Sequence, residues 1–269
     1  MVSTIGAPRR KFIGCEVLYR EACHLAATTT ARVDVEFLRK GLHDLEREKM
    51  SSRIQAAIDA VDPDLGYEAI LLGYARCSDG VVGLRARTIP LVIPRGHDCM
   101  TIFFGSRAAY RAYFDAHPGT YYLTTGWLER NFGEVGSRPA ELDGYDRPAY
   151  GMEGVMKKLG LTQSFAEMVE TYGREAAEYL MSSLGDWMKN YDRLVYLRMG
   201  VCTEDSHVER ARRDAEKRGF KLEVRDGDLS LLRRLFEGPW DEDFVVVPPG
   251  GCVVALDDER VLGAEAPSA

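Results

Sequence analysis

YEAILLGYARCSDGVVGLRARTIPLVIPRGHDC, residues 67–99, is the stretch whose reading decides the fold. It holds two short apolar runs, YEAILLGY (67–74) and PLVIP (90–94), on either side of a glycine-rich turn. Neither run alternates apolar with polar residues, so each reads as a strand buried on both faces, the pattern of a parallel sheet covered by helices.

The same alternation of strand and helix extends outward. Upstream lie a strand KFIG (11–14), a helix EVLYREACHLAA (16–27), a half-buried strand VDVEFL (33–38) and an amphipathic helix LEREKMSSRIQAAIDAV (45–61). Downstream come a helix SRAAYRAYFDAH (106–117) and a strand TYYLTT (120–125). Residues 128–163, rich in Gly, Pro and Asp, break the rhythm. A long helix is expected over 164–191, with Ser164 as N-cap and Glu167 three residues on. Strands at 193–201, 221–227 and 243–250 then alternate with helices at 207–220 and 229–238. The fold class is therefore α/β, a mostly parallel Rossmann-like sheet with a second α/β lobe. Residues 1–127 form the first lobe, 128–163 an irregular connection and 164–269 the second lobe.

Composition narrows the function. A chain of 269 residues that is 45% hydrophobic can bury a full core, and a net charge of -7 argues against a grip on nucleic acid, which needs clustered Lys and Arg. No apolar run is long enough for a membrane span and the N-terminus lacks the apolar core of a secretory signal, so a cytoplasmic location is expected. The six cysteines then stay reduced, and metal binding, catalysis or plain burial replaces disulfide formation. No Cys-x-x-Cys pair is present.

The reactive side chains fall at particular places. Cys15 follows KFIG, His43 follows VDVEFL, Cys77 follows AILLGYAR, and His97 and Cys99 follow PLVIP. All lie just beyond the carboxyl ends of successive strands, and in an open α/β sheet those ends share the edge where ligands bind. A single such cysteine is more simply a small core residue. Several at equivalent points of one edge are harder to ascribe to packing. Cys23 and Cys252 keep the packing reading, and Cys202, after RLVYLRMGV, stands evenly between the two.

KFIGCEVLYRE, GYARCSDGVVGLRAR, LVIPRGHDCMTIFFGSR and HPGTYYLTTGWLER together resemble a cytosolic family of unknown function from bacteria and archaea. Its members are often encountered beside corrinoid-dependent methylamine methyltransferases. The resemblance covers most of the chain and implies metal-type residues at Cys15, Cys77, His97 and Cys99, with no counterpart for Cys202 or Cys252. It also implies a place in or beside corrinoid-linked methyl metabolism, with a corrinoid protein among the partners.

Three chemistries are open to these residues. Three thiolates and an imidazole are an ordinary tetrahedral zinc set, with His97 completing the shell or yielding to a substrate thiol or methyl donor. Asp98 and Glu16 are the nearest carboxylates, able to orient a ligand or move a proton. Alternatively, Cys15, Cys77 and Cys99 hold a [4Fe–4S] cluster with one open iron. The third is a metal-free module binding a small anionic substrate through Gly80, Gly83, Arg85 and Arg87. The availability of His97 tips the balance to zinc. The residues leave open whether the protein is a catalyst or an accessory factor.

Overall fold

The computed structural model describes residues 6–40, 42, 47–130, 165–177 and 191–267. His43 and most of the 128–163 connection lie outside these residues, as does much of the helix expected over 164–191, described as far as Phe165–Tyr172 and 174–177.

The first sheet has five strands. β1 (Arg9–Cys15) is flanked by β2 (Arg32–Leu38) and β3 (Ala69–Gly73); β4 (Leu91–Pro94) pairs with β3, and β8 (Phe244–Val247) closes the far edge, in the order β2-β1-β3-β4-β8. The first four strands are parallel and β8 runs antiparallel to β4. Every residue of β3 and β4 is buried, as their unbroken apolar sequences require, whereas the edge strand β2 is only partly covered. Phe12 anchors this core. Its ring lies over Gly14 and Gly73, which face each other across the β1–β3 pair, and a Cβ on Gly73 would stand 2.3 Å from the ring.

Helices α1 (Tyr19–Thr28) and α2 (Arg47–Asp59) follow β1 and β2; α3 (Met100–Phe103) and α4 (Arg107–Ala116) follow β4. The chain then enters a second, three-stranded parallel sheet, β5 (Thr120–Leu123), β6 (Arg193–Arg198) and β7 (Lys221–Asp226), in that order. After β5 comes the short α5 (Thr125–Glu129); α6 (Phe165–Tyr172), α7 (Asp205–Arg218) and α8 (Ser230–Glu237) follow in chain order. The two faces of β6 serve two cores. Val195 and Leu197 join the large core of the first sheet, and Leu194 and Tyr196 pack on Ala211 and Ala215 of α7. A ladder of β9 (Cys252–Ala255) and β10 (Leu262–Glu265) adds Val253 and Leu262 to the large core.

The α/β class and the mostly parallel sheet stand as read from the sequence. Strand pairing cuts across chain order, however: residues 120–123 pair with 193–196, and 244–247 pair with 91–94. Among the described residues no helix is long and apolar enough to cross a membrane.

Candidate functional site

Three neighbouring strands, β1, β3 and β4, each deliver a cysteine to the carboxyl edge of the first sheet. Cys15 is the last residue of β1, Cys77 lies four residues past β3 and Cys99 five past β4. All three line one cavity of about 20 Å³, the space of about one water molecule. Its other walls are apolar for the most part, with Val17, Leu42, Met50 and Trp127 among them.

The turn that carries Cys77 is unusual. Cys77, Ser78 and Asp79 have φ of 36°, 54° and 61°, three consecutive side-chain-bearing residues in the left-handed region, which costs such residues energy. The turn is fixed by the Cys77 N–H donating to the carbonyl of His97 at 3.0 Å and the Arg76 N–H donating to that of Gly96 at 2.9 Å. Gly80 ends it where a Cβ would stand 2.2 Å from Met50 Sδ, so the bare glycine lets Met50 reach the cavity.

Burial governs the thiols. It pushes Cys15 and Cys77 up to about 12 and Cys99 well above its ordinary value, where Cys77 and Asp98 add to the effect. Backbone amides oppose this: Val17 N–H is directed at Cys15, and those of Ala75 and Cys99 at Cys77. Without a further positive charge the three remain thiols at neutral pH. An ion that displaced their protons would find soft donors, amides that support thiolates and little water. The fit is one of chemistry. Among the described residues no group of three or more Cys, His, Asp or Glu side chains is already gathered around a point where an ion would sit, so binding would require the thiols to draw together.

The other sequence candidates are placed as follows. The side chain of His97 is exposed and is not a wall of the cavity; its carbonyl, rather than its ring, supports the site. Asp98 accepts from Met100 N–H at 2.9 Å and from Tyr110 hydroxyl at 2.8 Å, which makes it the anchor of α3, and burial raises its carboxyl. Glu16 accepts a long hydrogen bond, 3.4 Å, from the Lys40 N–H. Arg87 makes a two-pronged pair with Asp59 at 2.8 and 2.9 Å, and the Arg85 N–H donates to Gln55 at 2.8 Å. Gly83, with φ 93°, donates its N–H to Val253 at 2.9 Å. None of Gly83, Arg85 and Arg87 lines the cysteine cavity.

Lys40 was missed from sequence. It is 6% exposed, donates its ammonium to the Trp127 carbonyl at 2.9 Å and stands 4.2 Å from the centre of the Trp127 ring. Its signal was positional: Leu38 is the register partner of Cys15, and Lys40 lies two residues beyond it on the same edge.

Neither a curated protein nor a solved structure matches the chain. A family model does, over residues 37–236, a segment that includes Cys77 and Cys99 and leaves out Cys15. The chain therefore belongs to the family described as Protein of unknown function (DUF1638).

Proposed function

We propose that the protein is a metalloprotein in which the thiolates of Cys15, Cys77 and Cys99 hold one thiophilic ion, zinc in the first place, with a fourth position left to an incoming ligand. The observation that carries this reading is the convergence of three cysteines, from the ends of three adjacent strands, on one small and largely apolar cavity. A cavity of about 20 Å³ suits a single ion better than a [4Fe–4S] cluster, which needs the walls to move further apart. Because the His97 side chain is exposed, the fourth position falls to substrate in this reading rather than to imidazole.

A zinc ion with three protein ligands and one exchangeable position holds a thiol as its thiolate or polarises an oxygen. Around it the amides of Val17, Ala75 and Cys99 support the thiolates, and Trp127, Leu42 and Met50 limit the access of water. Sequence resemblance alone suggests the setting: methyl metabolism, a small thiol or methyl donor as substrate, and a corrinoid protein as partner.

Elemental analysis of anaerobically purified protein tests the proposal. About one zinc per chain, lost in Cys77→Ala and in Cys99→Ala, is the expected result. About four irons with acid-labile sulfide would replace zinc by the cluster, and a metal-free protein would overturn the proposal in favour of an anion-binding module.

A further inference from the structure

A fully buried acid lies outside the cysteine cavity. Glu21 sits on the inward face of α1 with Ala22 and Leu25, and it is 0% exposed. Among the described residues, neither of its carboxyl oxygens has a hydrogen-bond partner. Buried polar groups are paired in the great majority of cases, so such a group calls for an explanation.

Its surroundings make the problem sharper. The charged groups that act on Glu21 are Glu204, from the turn after β6, Glu129, at the end of α5, and Arg20, its neighbour on α1. Arg20 is committed elsewhere, donating to both oxygens of Glu129 at 2.8 and 2.7 Å. Glu204 takes the local donors: it accepts from Gly200 N–H at 2.7 Å, Tyr196 hydroxyl at 2.8 Å, Thr125 hydroxyl at 3.3 Å and Met199 N–H at 3.4 Å. Beyond Glu129 stands His207, its Nε2 3.5 Å from Oε1 and its Nδ1 buried with no partner among the described residues. Cys23 is the further titratable neighbour on α1. Of the three carboxyls, two are supplied with donors, whereas Glu21 has only its own backbone N–H turned towards it, outside hydrogen-bond geometry. An ionised Glu21 would meet two other acids with only its own backbone N–H and the distant, already committed Arg20 to oppose them.

We propose that Glu21 is a proton-binding site, a neutral carboxylic acid in the folded protein, through which pH acts on the junction of α1, α5 and the turn after β6. The junction lies between the carboxyl ends of the two sheets, because α1 follows β1 and the other two elements follow β5 and β6. Burial first, then Glu204 and Glu129, move Glu21 up to about 7, so its proton leaves within the physiological range. Loss of the proton places a third negative charge at the junction, and repulsion from Glu204 and Glu129 loosens it. This inference is independent of any metal.

Infrared spectra of the full chain between pH 5 and 9, compared with Glu21→Gln, test it. The expected difference is a carboxylic-acid carbonyl band present in the native protein at low pH, absent from the variant, and lost with a midpoint of about 7. Amide hydrogen exchange in α1 and α5, corrected for the intrinsic effect of pH, should rise several-fold across that midpoint in the native chain and stay level in the variant. Native protein labelled with ¹³C at glutamate carboxyls reports the same titration without a substitution. A Glu21 that titrates below pH 5 by either readout overturns the proposal, and so does corrected exchange in the native chain that does not rise.

Discussion

Gly126→Ala should damage the cavity from a residue that does not line it. Gly126 lies in α5, against the short helical turn Glu16–Leu18 that follows Cys15, and a Cβ there would stand 2.0 Å from the carbonyl oxygen of Val17 and 2.7 Å from its carbon. Both obstacles are backbone, so no side-chain rotation relieves them. Since real Cβ contacts under 3.0 Å are essentially never seen, α5 must withdraw by about 1 Å. Two effects oppose. Alanine gains about 0.5–1 kcal/mol over glycine inside a helix. Overpacking costs about 1–3 kcal/mol, and moving Trp127 away from the buried Lys40 adds about 0.5–2 kcal/mol. The clash wins, and the net expectation is a loss of about 2 kcal/mol in urea-induced unfolding. Because Trp127 moves with α5, Cys15 and Cys99 should react faster with a thiol reagent than in the native protein. Unfolding within about 0.5 kcal/mol of native, with unchanged thiol reactivity, would refute the reasoning.

Further expectations concern charge and backbone. Glu21 holds its proton up to about 7 when folded, against an ordinary value of 4.5 when unfolded, so folding is not penalised below 4.5, is penalised increasingly up to 7, and equally thereafter. Between those limits the native chain should lose about 3 kcal/mol relative to Glu21→Gln, measured by denaturant unfolding at each pH; parallel pH profiles would sink this. His97→Ala should leave the metal content unchanged, because its side chain is exposed and outside the cavity; loss of metal on elemental analysis would return the ring to the ligand set. Gly83→Ala should cost about 1–2 kcal/mol in thermal or urea unfolding, because φ is 93° there although nothing crowds the position; a neutral effect would contradict the backbone explanation.

Much of the cysteine site was legible in the sequence because parallel strands bring their carboxyl ends to one edge, whatever the sequence distance between them. Cys15, Cys77 and Cys99 needed only the recognition of β1, β3 and β4 as such strands. His97 stands apart from the cavity, its side chain exposed, because a residue two positions from Cys99 shares its loop without sharing its direction. Sheet membership was not readable: Thr120–Leu123 and Phe244–Val247 have the periodicity of strands, but periodicity does not name a pairing partner. Glu21 could have been found. Leu18, Glu21, Ala22 and Leu25 follow the spacing of one helix face, and an acid on that face is a buried acid. Glu204 and Glu129 could not have been brought to it without the fold.

The most direct test of the three-thiolate centre is X-ray absorption at the metal edge of the anaerobically purified protein. The account predicts about three sulfur neighbours at about 2.3 Å and one lighter atom per zinc, with the lighter atom replaced by a fourth sulfur when a small thiol is added. A shell of nitrogen and oxygen with no sulfur, or four sulfurs before any thiol is added, would contradict it.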